Sequence, residues 1–82
     1  MDEAFLGEVR AMPFGFVPTG WAACNGQVLE SAGNTALYAL LGNQYGGTAP
    51  TTFALPTLAP LQGKEGTLQY CIAVTGVFPP RP

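Results

Sequence analysis

Histidine is absent from this chain of 82 residues, and only 10% of its residues carry charge. Without histidine there is no usual general base, no commonest metal ligand and no Ser-His or Cys-His nucleophile. Three basic residues, Arg10, Lys64 and Arg81, stand far apart, so no basic patch neutralises a nucleic-acid backbone. The apolar runs extend only a few residues, which excludes a membrane-spanning helix. The opening Met-Asp-Glu-Ala-Phe-Leu-Gly-Glu places acids where a signal peptide needs basic residues and an apolar core. Export by a route without an N-terminal signal peptide, or delivery on a particle, is therefore expected.

Few groups remain that carry chemistry. Asp2, Glu3, Glu8, Glu30 and Glu65 have no motif around them, and a chain this short offers little scaffold for a carboxylate cleft. The Gly-rich stretch Gly42–Thr48 lacks the lysine and following hydroxyl residue of a phosphate-binding loop, so turn geometry explains its glycines. No catalytic residue, cofactor site or metal site is expected, and the chain is read as a non-enzyme. Two cysteines, Cys24 and Cys71, allow two readings. Either a disulfide ties an early strand to the C-terminal one, worth about 4 kcal/mol in the chain-entropy model, or both are buried free thiols packing as small apolar groups.

What the sequence does have is apolar residues, 48% of the total, and a stretch from Glu30 to Lys64 with no charge between them. A domain this small buries only about 60–65% of the surface its unfolded chain exposes. A charge-free third of the chain suits contact with another protein better than contact with water. Trp21, Tyr38, Tyr45 and Phe53 are the candidate assembly or ligand surface. Together with Phe14 and Phe16, Trp21, Tyr38 and Tyr45 also offer an aromatic platform for a sugar, built from more than one subunit, although such residues equally serve as core.

Local signals give a small α+β domain, β-rich, with several short strands and one short helix at about residues 34–41. A strand is expected within 4–12, then a loop over 13–20 packed down by Phe14 and Phe16. Trp21–Cys24 is a short buried strand. Asn25-Gly26 predicts a hairpin into Gln27–Glu30, because both residues tolerate positive φ. Asn34 is placed to cap the helix with its side chain. Leu37, Leu40 and Leu41, with Ala36, fall on one helix face, and Gly42 stops it. Thr51–Pro56 reads as an edge strand, 57–66 as the most loop-like segment, and 67–78 as the best strand, by its β-branched and aromatic content. The domain is drawn as 1–78, with 79–82 an extended proline-rich tail.

At Gly20-Trp-Ala-Ala-Cys-Asn-Gly-Gln27 the chain begins to resemble a known family. With Asn34-Thr-Ala-Leu-Tyr-Ala-Leu-Leu-Gly42, Tyr45-Gly-Gly47 and Thr51-Thr-Phe-Ala-Leu-Pro56 it resembles the phage tail collar domain. Phe5-Leu-Gly-Glu-Val-Arg10 and Tyr70-Cys-Ile-Ala-Val-Thr-Gly-Val-Phe-Pro79 are similar to the short bacterial branch labelled microcystin-dependent proteins. The resemblance implies a small α+β unit of trimeric tail fibres and related bacterial proteins, with a structural or receptor-facing role. Thr57-Leu-Ala-Pro60 replaces the family's Asp-Leu-Arg-Gly, and the His-containing region that holds metal in longer members has no counterpart. The expectation is a subunit that associates with copies of itself, as a trimer or longer fibre of a phage-tail-like particle or an extracellular filament. Other tail or surface proteins and glycans are the remaining partners; the alternative is a carbohydrate- or cell-surface-binding adhesin module.

Overall fold

The structure, a computed structural model, describes residues 4–64 and 66–79. Asp2, Glu3, Glu65 and the tail from residue 80 onward lie outside the described residues. Six strands and one helix follow in the order β1 (Val9–Pro13), β2 (Trp21–Ala23), β3 (Val28–Glu30), α1 (Thr35–Leu41), β4 (Thr52–Ala54), β5 (Leu61–Gly63) and β6 (Gly66–Ala73). The fold is α+β and mostly β, as expected.

The longest strand, β6, is the spine of a four-stranded antiparallel sheet. Leu68 opposes both Pro13 of β1 and Leu61 of β5, and Cys71 opposes both Arg10 of β1 and Ala23 of β2. Thus β1 runs along one edge of β6, while β2 and β5 share the other, end to end. A separate two-stranded sheet pairs β3 with β4, Leu29 opposite Phe53. Between the sheets lies the core of Leu6, Cys24, Leu37, Phe53, Leu55 and Ile72. Fully burying an aliphatic or aromatic side chain of this size contributes about 1.5–3 kcal/mol.

The helix obeys its apolar spacing. Leu37 is buried, and Leu40 and Leu41 pack against the core beside it; Ala36 points to solvent. Gly42, at φ 58°, ends the helix, and its N–H donates to the Tyr38 carbonyl at 2.7 Å. Asn34 differs from expectation: its side chain makes no cap, and its amide nitrogen donates back to the Glu30 carbonyl at 2.9 Å. It ties the helix to the end of β3 instead.

The hairpin at Asn25-Gly26 does not form. A type I′ turn needs positive φ at both residues, yet only Gly26 adopts it, at 81°, and no residue other than glycine does among the described residues. The Asn25 side-chain oxygen accepts from the Gln27 N–H, and the Gly26 N–H donates to the Pro56 carbonyl. The chain turns a corner there, leaving one sheet for the other. The segment 57–66 is also corrected: Leu61–Gly63 is a strand in a hairpin with the start of β6. Its backbone groups find partners only because β6 supplies an edge, which no local pattern announces. Strand β6 itself ends at Ala73, short of residue 78.

Candidate functional site

Successive rows of the larger sheet face opposite ways. Val9, Ile72 and Ala22 form one row, and Ile72 and Ala22 belong to the core. The next row, Arg10, Cys71 and Ala23, therefore faces outward. Trp21, opposite Ala73, shares that outer face, and the Arg10 guanidinium lies 5.5 Å from its ring centroid. A cation held against an indole face is favourable. Cys71 and Ala73 are nonetheless buried on this face. Glu8 pairs with Arg10 and accepts from the Phe5 N–H. The Arg10 hydrogen bond first, then the Phe5 N–H, hold the exposed Glu8 carboxyl below its ordinary pKa.

The four aromatic residues proposed from the sequence separate into three environments. Trp21 is half-buried under Arg10, and Tyr45 is exposed on its Gly-rich loop. Tyr38 packs its ring 5.3 Å from that of Phe53 and donates its hydroxyl to the Asn43 side-chain oxygen at 2.9 Å. Phe53 is corrected outright: it is fully buried, so it is core and not surface. Position 53 is the middle of a short strand whose inward face was not legible without knowing which sheet it joins.

Asn43 was missed by the sequence reading. Its side-chain oxygen accepts from Tyr38, and its amide nitrogen donates to the carbonyls of Gly46 and Thr52. One side chain thereby links the helix end, the Gly-rich loop and β4. Such local amide–backbone bonds are typical of Asn in turns, but only the fold shows which carbonyls it meets.

Cys24 and Cys71 come to neighbouring levels of the β2–β6 ladder and are free, buried thiols. Of the two readings, the structure has the free thiols and not the bridge. The residue opposite Cys71 is Ala23, while Cys24 takes the next level, its N–H donating to Tyr70. The pleat sends consecutive levels to opposite faces, so Cys24 enters the core and Cys71 the outer face. Burial raises both thiol pKa values above the ordinary range, Cys24 also through the neighbouring Cys71. Thiols kept neutral and covered react slowly. Alkylation of unreduced native protein is expected to be slow, and alkylation of the unfolded chain to label two thiols by mass spectrometry. A chain that stays unlabelled until reductant is added would establish the disulfide.

The larger surface feature is apolar. Eleven large hydrophobic residues are exposed among the described residues, whereas the large ones that are buried are Leu6, Leu37, Phe53, Leu55 and Ile72. Phe14 and Phe16, expected to anchor the loop before β2, are 62% and 56% exposed; the loop is held by backbone bonds such as Phe14 N–H to the Thr67 carbonyl instead. Near the opposite end of the sheet, Phe5 bridges Val77, and both stand exposed with Val9 and Phe78. The outer edge of β1 pairs with no strand among the described residues. No helix of the described residues is long and apolar enough to cross a membrane.

A family model described as Phage Tail Collar Domain matches residues 7–60. Neither the curated proteins nor the solved structures yield a match.

Proposed function

Because this chain belongs to the phage tail collar domain family, a structural family of phage tail fibres, we propose that it is a non-enzymatic subunit that completes its burial by associating with copies of itself. The assembly is a trimer or a longer fibre, on a phage-tail-like particle or outside a bacterial cell. The observation that carries this reading is the excess of exposed large hydrophobics over buried ones. Single apolar residues on a surface are ordinary, but grouped ones mark contact sites. Two further features support it. The open edge of β1 presents backbone donors and acceptors of the kind that templates another strand. The stretch between Glu30 and Lys64 carries no charge that contact would strand away from water.

Domain limits of 1–78, with a proline-rich tail from 79, remain part of the same proposal. Size-exclusion chromatography with light scattering is the test. The expected mass is a multiple of the 8.5 kDa chain, rising or constant with concentration according to whether a fibre or a closed trimer forms. A stable 8.5 kDa monomer at high concentration rejects the reading.

A further inference from the structure

Strands β2 and β5 lie end to end on the same side of β6 without meeting, and the break between them opens a cavity of about 310 Å³. Its floor is the stretch of β6 at Gln69 and Tyr70, and its wall is the segment Thr57–Pro60, held to the corner by the Leu58 N–H donating to the Cys24 carbonyl at 2.9 Å. The corner at Asn25-Gly26 that replaced the expected hairpin is what leaves this space.

The lining has two kinds of surface. Phe14, Tyr70 and Leu58 supply aromatic and aliphatic area, and Phe14 and Leu58 hold theirs toward solvent. Asn25, Thr57 and Gln69 supply polar groups of both senses. The Asn25 side-chain oxygen (Oδ1) is occupied by the Gln27 N–H, which leaves its side-chain amide nitrogen as a donor. The Gln69 amide nitrogen reaches the Phe16 carbonyl, which leaves its oxygen as an acceptor. Thr57 adds a hydroxyl that serves as either. No charged residue lines the cavity among the described residues.

From this lining we infer that the cavity binds a neutral sugar ring. A pyranose has an apolar C–H face that stacks on an aromatic ring and hydroxyls that both donate and accept. The cavity, of about 310 Å³, offers those complements. An anionic or cationic ligand finds no countercharge there, and a purely apolar ligand leaves the amides of Asn25 and Gln69 unpaired, which is costly. All of the lining belongs to one chain, so the site does not depend on self-association.

Saturation-transfer NMR on the intact chain tests this, since it reads ligand protons whatever the size of the assembly. The probes are methyl glycosides of glucose, galactose, mannose, N-acetylglucosamine and N-acetylgalactosamine, with a proline-rich peptide as the competing class. The expected result is transfer to at least one glycoside, strongest at the C–H protons of its apolar face. Phe14→Ala weakens that binding by about two- to tenfold, the equivalent of one stacking contact. Phe78→Ala, also exposed but beside the Phe5–Val77 bridge, leaves it unchanged. Both variants alter solvent-facing side chains, and circular dichroism verifies their folding. Transfer to no glycoside, transfer to the peptide alone, or equal losses in both variants overturns the inference. Light scattering on the same samples separates this outcome from a failure of self-association.

Discussion

Phe53→Ala is expected to remove about 3–5 kcal/mol of folding stability, the usual cost of deleting a fully buried aromatic ring. Phe53 has no exposed surface, stacks obliquely on Tyr38 and sits in the one cluster that joins helix, small sheet and large sheet. Domains are stable by only about 5–15 kcal/mol, and small ones lie low in that range. The loss therefore consumes much of the total, and the melting temperature falls by about 12–40 °C at the rate of some 4–8 °C per kcal/mol for this chain length. Phe53→Leu keeps most of the volume and is expected to cost less than about 2 kcal/mol. Urea titration of the three proteins at one fixed concentration is the measurement, because association also stabilises the folded state by mass action. A loss below about 1 kcal/mol for the alanine variant would show that this cluster does not hold the fold.

Gly47→Ala carries the second large effect, for a reason that has nothing to do with burial. Gly47 sits at φ 93°, and a Cβ there would lie 2.5 Å from the Phe53 Cα, 2.8 Å from the Phe53 nitrogen and 2.8 Å from the Thr52 carbonyl oxygen. These are backbone atoms of a paired strand, and they cannot swing aside as a side-chain tip does. The left-handed conformation alone costs a residue with a Cβ about 1–2 kcal/mol. With displacement of β4 added, the expected loss is about 3 kcal/mol or more, within the range of strained-site substitutions. Gly33→Ala is the matched control: its φ is 86°, but nothing lies within 4 Å of the added methyl. It is expected to show only the conformational part, so the difference between the two variants reads the close approach directly. Equal losses would mean that β4 yields freely at Phe53. Because Gly47 presses on the strand that carries Phe53, the two alanine substitutions are expected not to add when combined.

The elements that could be read in advance are those whose cause is local. Leu37, Leu40 and Leu41 recur at helical spacing, and Gly42 supplies the positive φ that halts them. Both causes act within a few residues. The run Tyr70–Ala73 is rich in β-forming residues and became the spine strand. Where a local signal had two outlets, the reading went astray. Asn25-Gly26 fits a hairpin, but the strand before it finds β6 and the strand after it finds β4, so the same dipeptide serves as a corner. Leu61–Gly63 carries little strand propensity of its own and is a strand because of its neighbour. Phe14 and Phe16, read as anchors for a loop, stand in solvent, since the loop closes through its backbone.

By itself the sequence determined the composition of the surface and the limits on its chemistry: no histidine, almost no charge through the middle, one short helix and the ordered blocks of the collar family. These follow from residue identity and short-range sterics, which need no knowledge of distant partners. Only the tertiary structure decided which face of each strand points inward. That choice put Phe53 and Cys24 in the core, turned Cys71 to the opposite face beside Arg10, and left a break between β2 and β5 lined by Gln69 and Tyr70. In a pleated strand one step of register exchanges the two faces, and register is fixed by pairing between residues far apart in the chain.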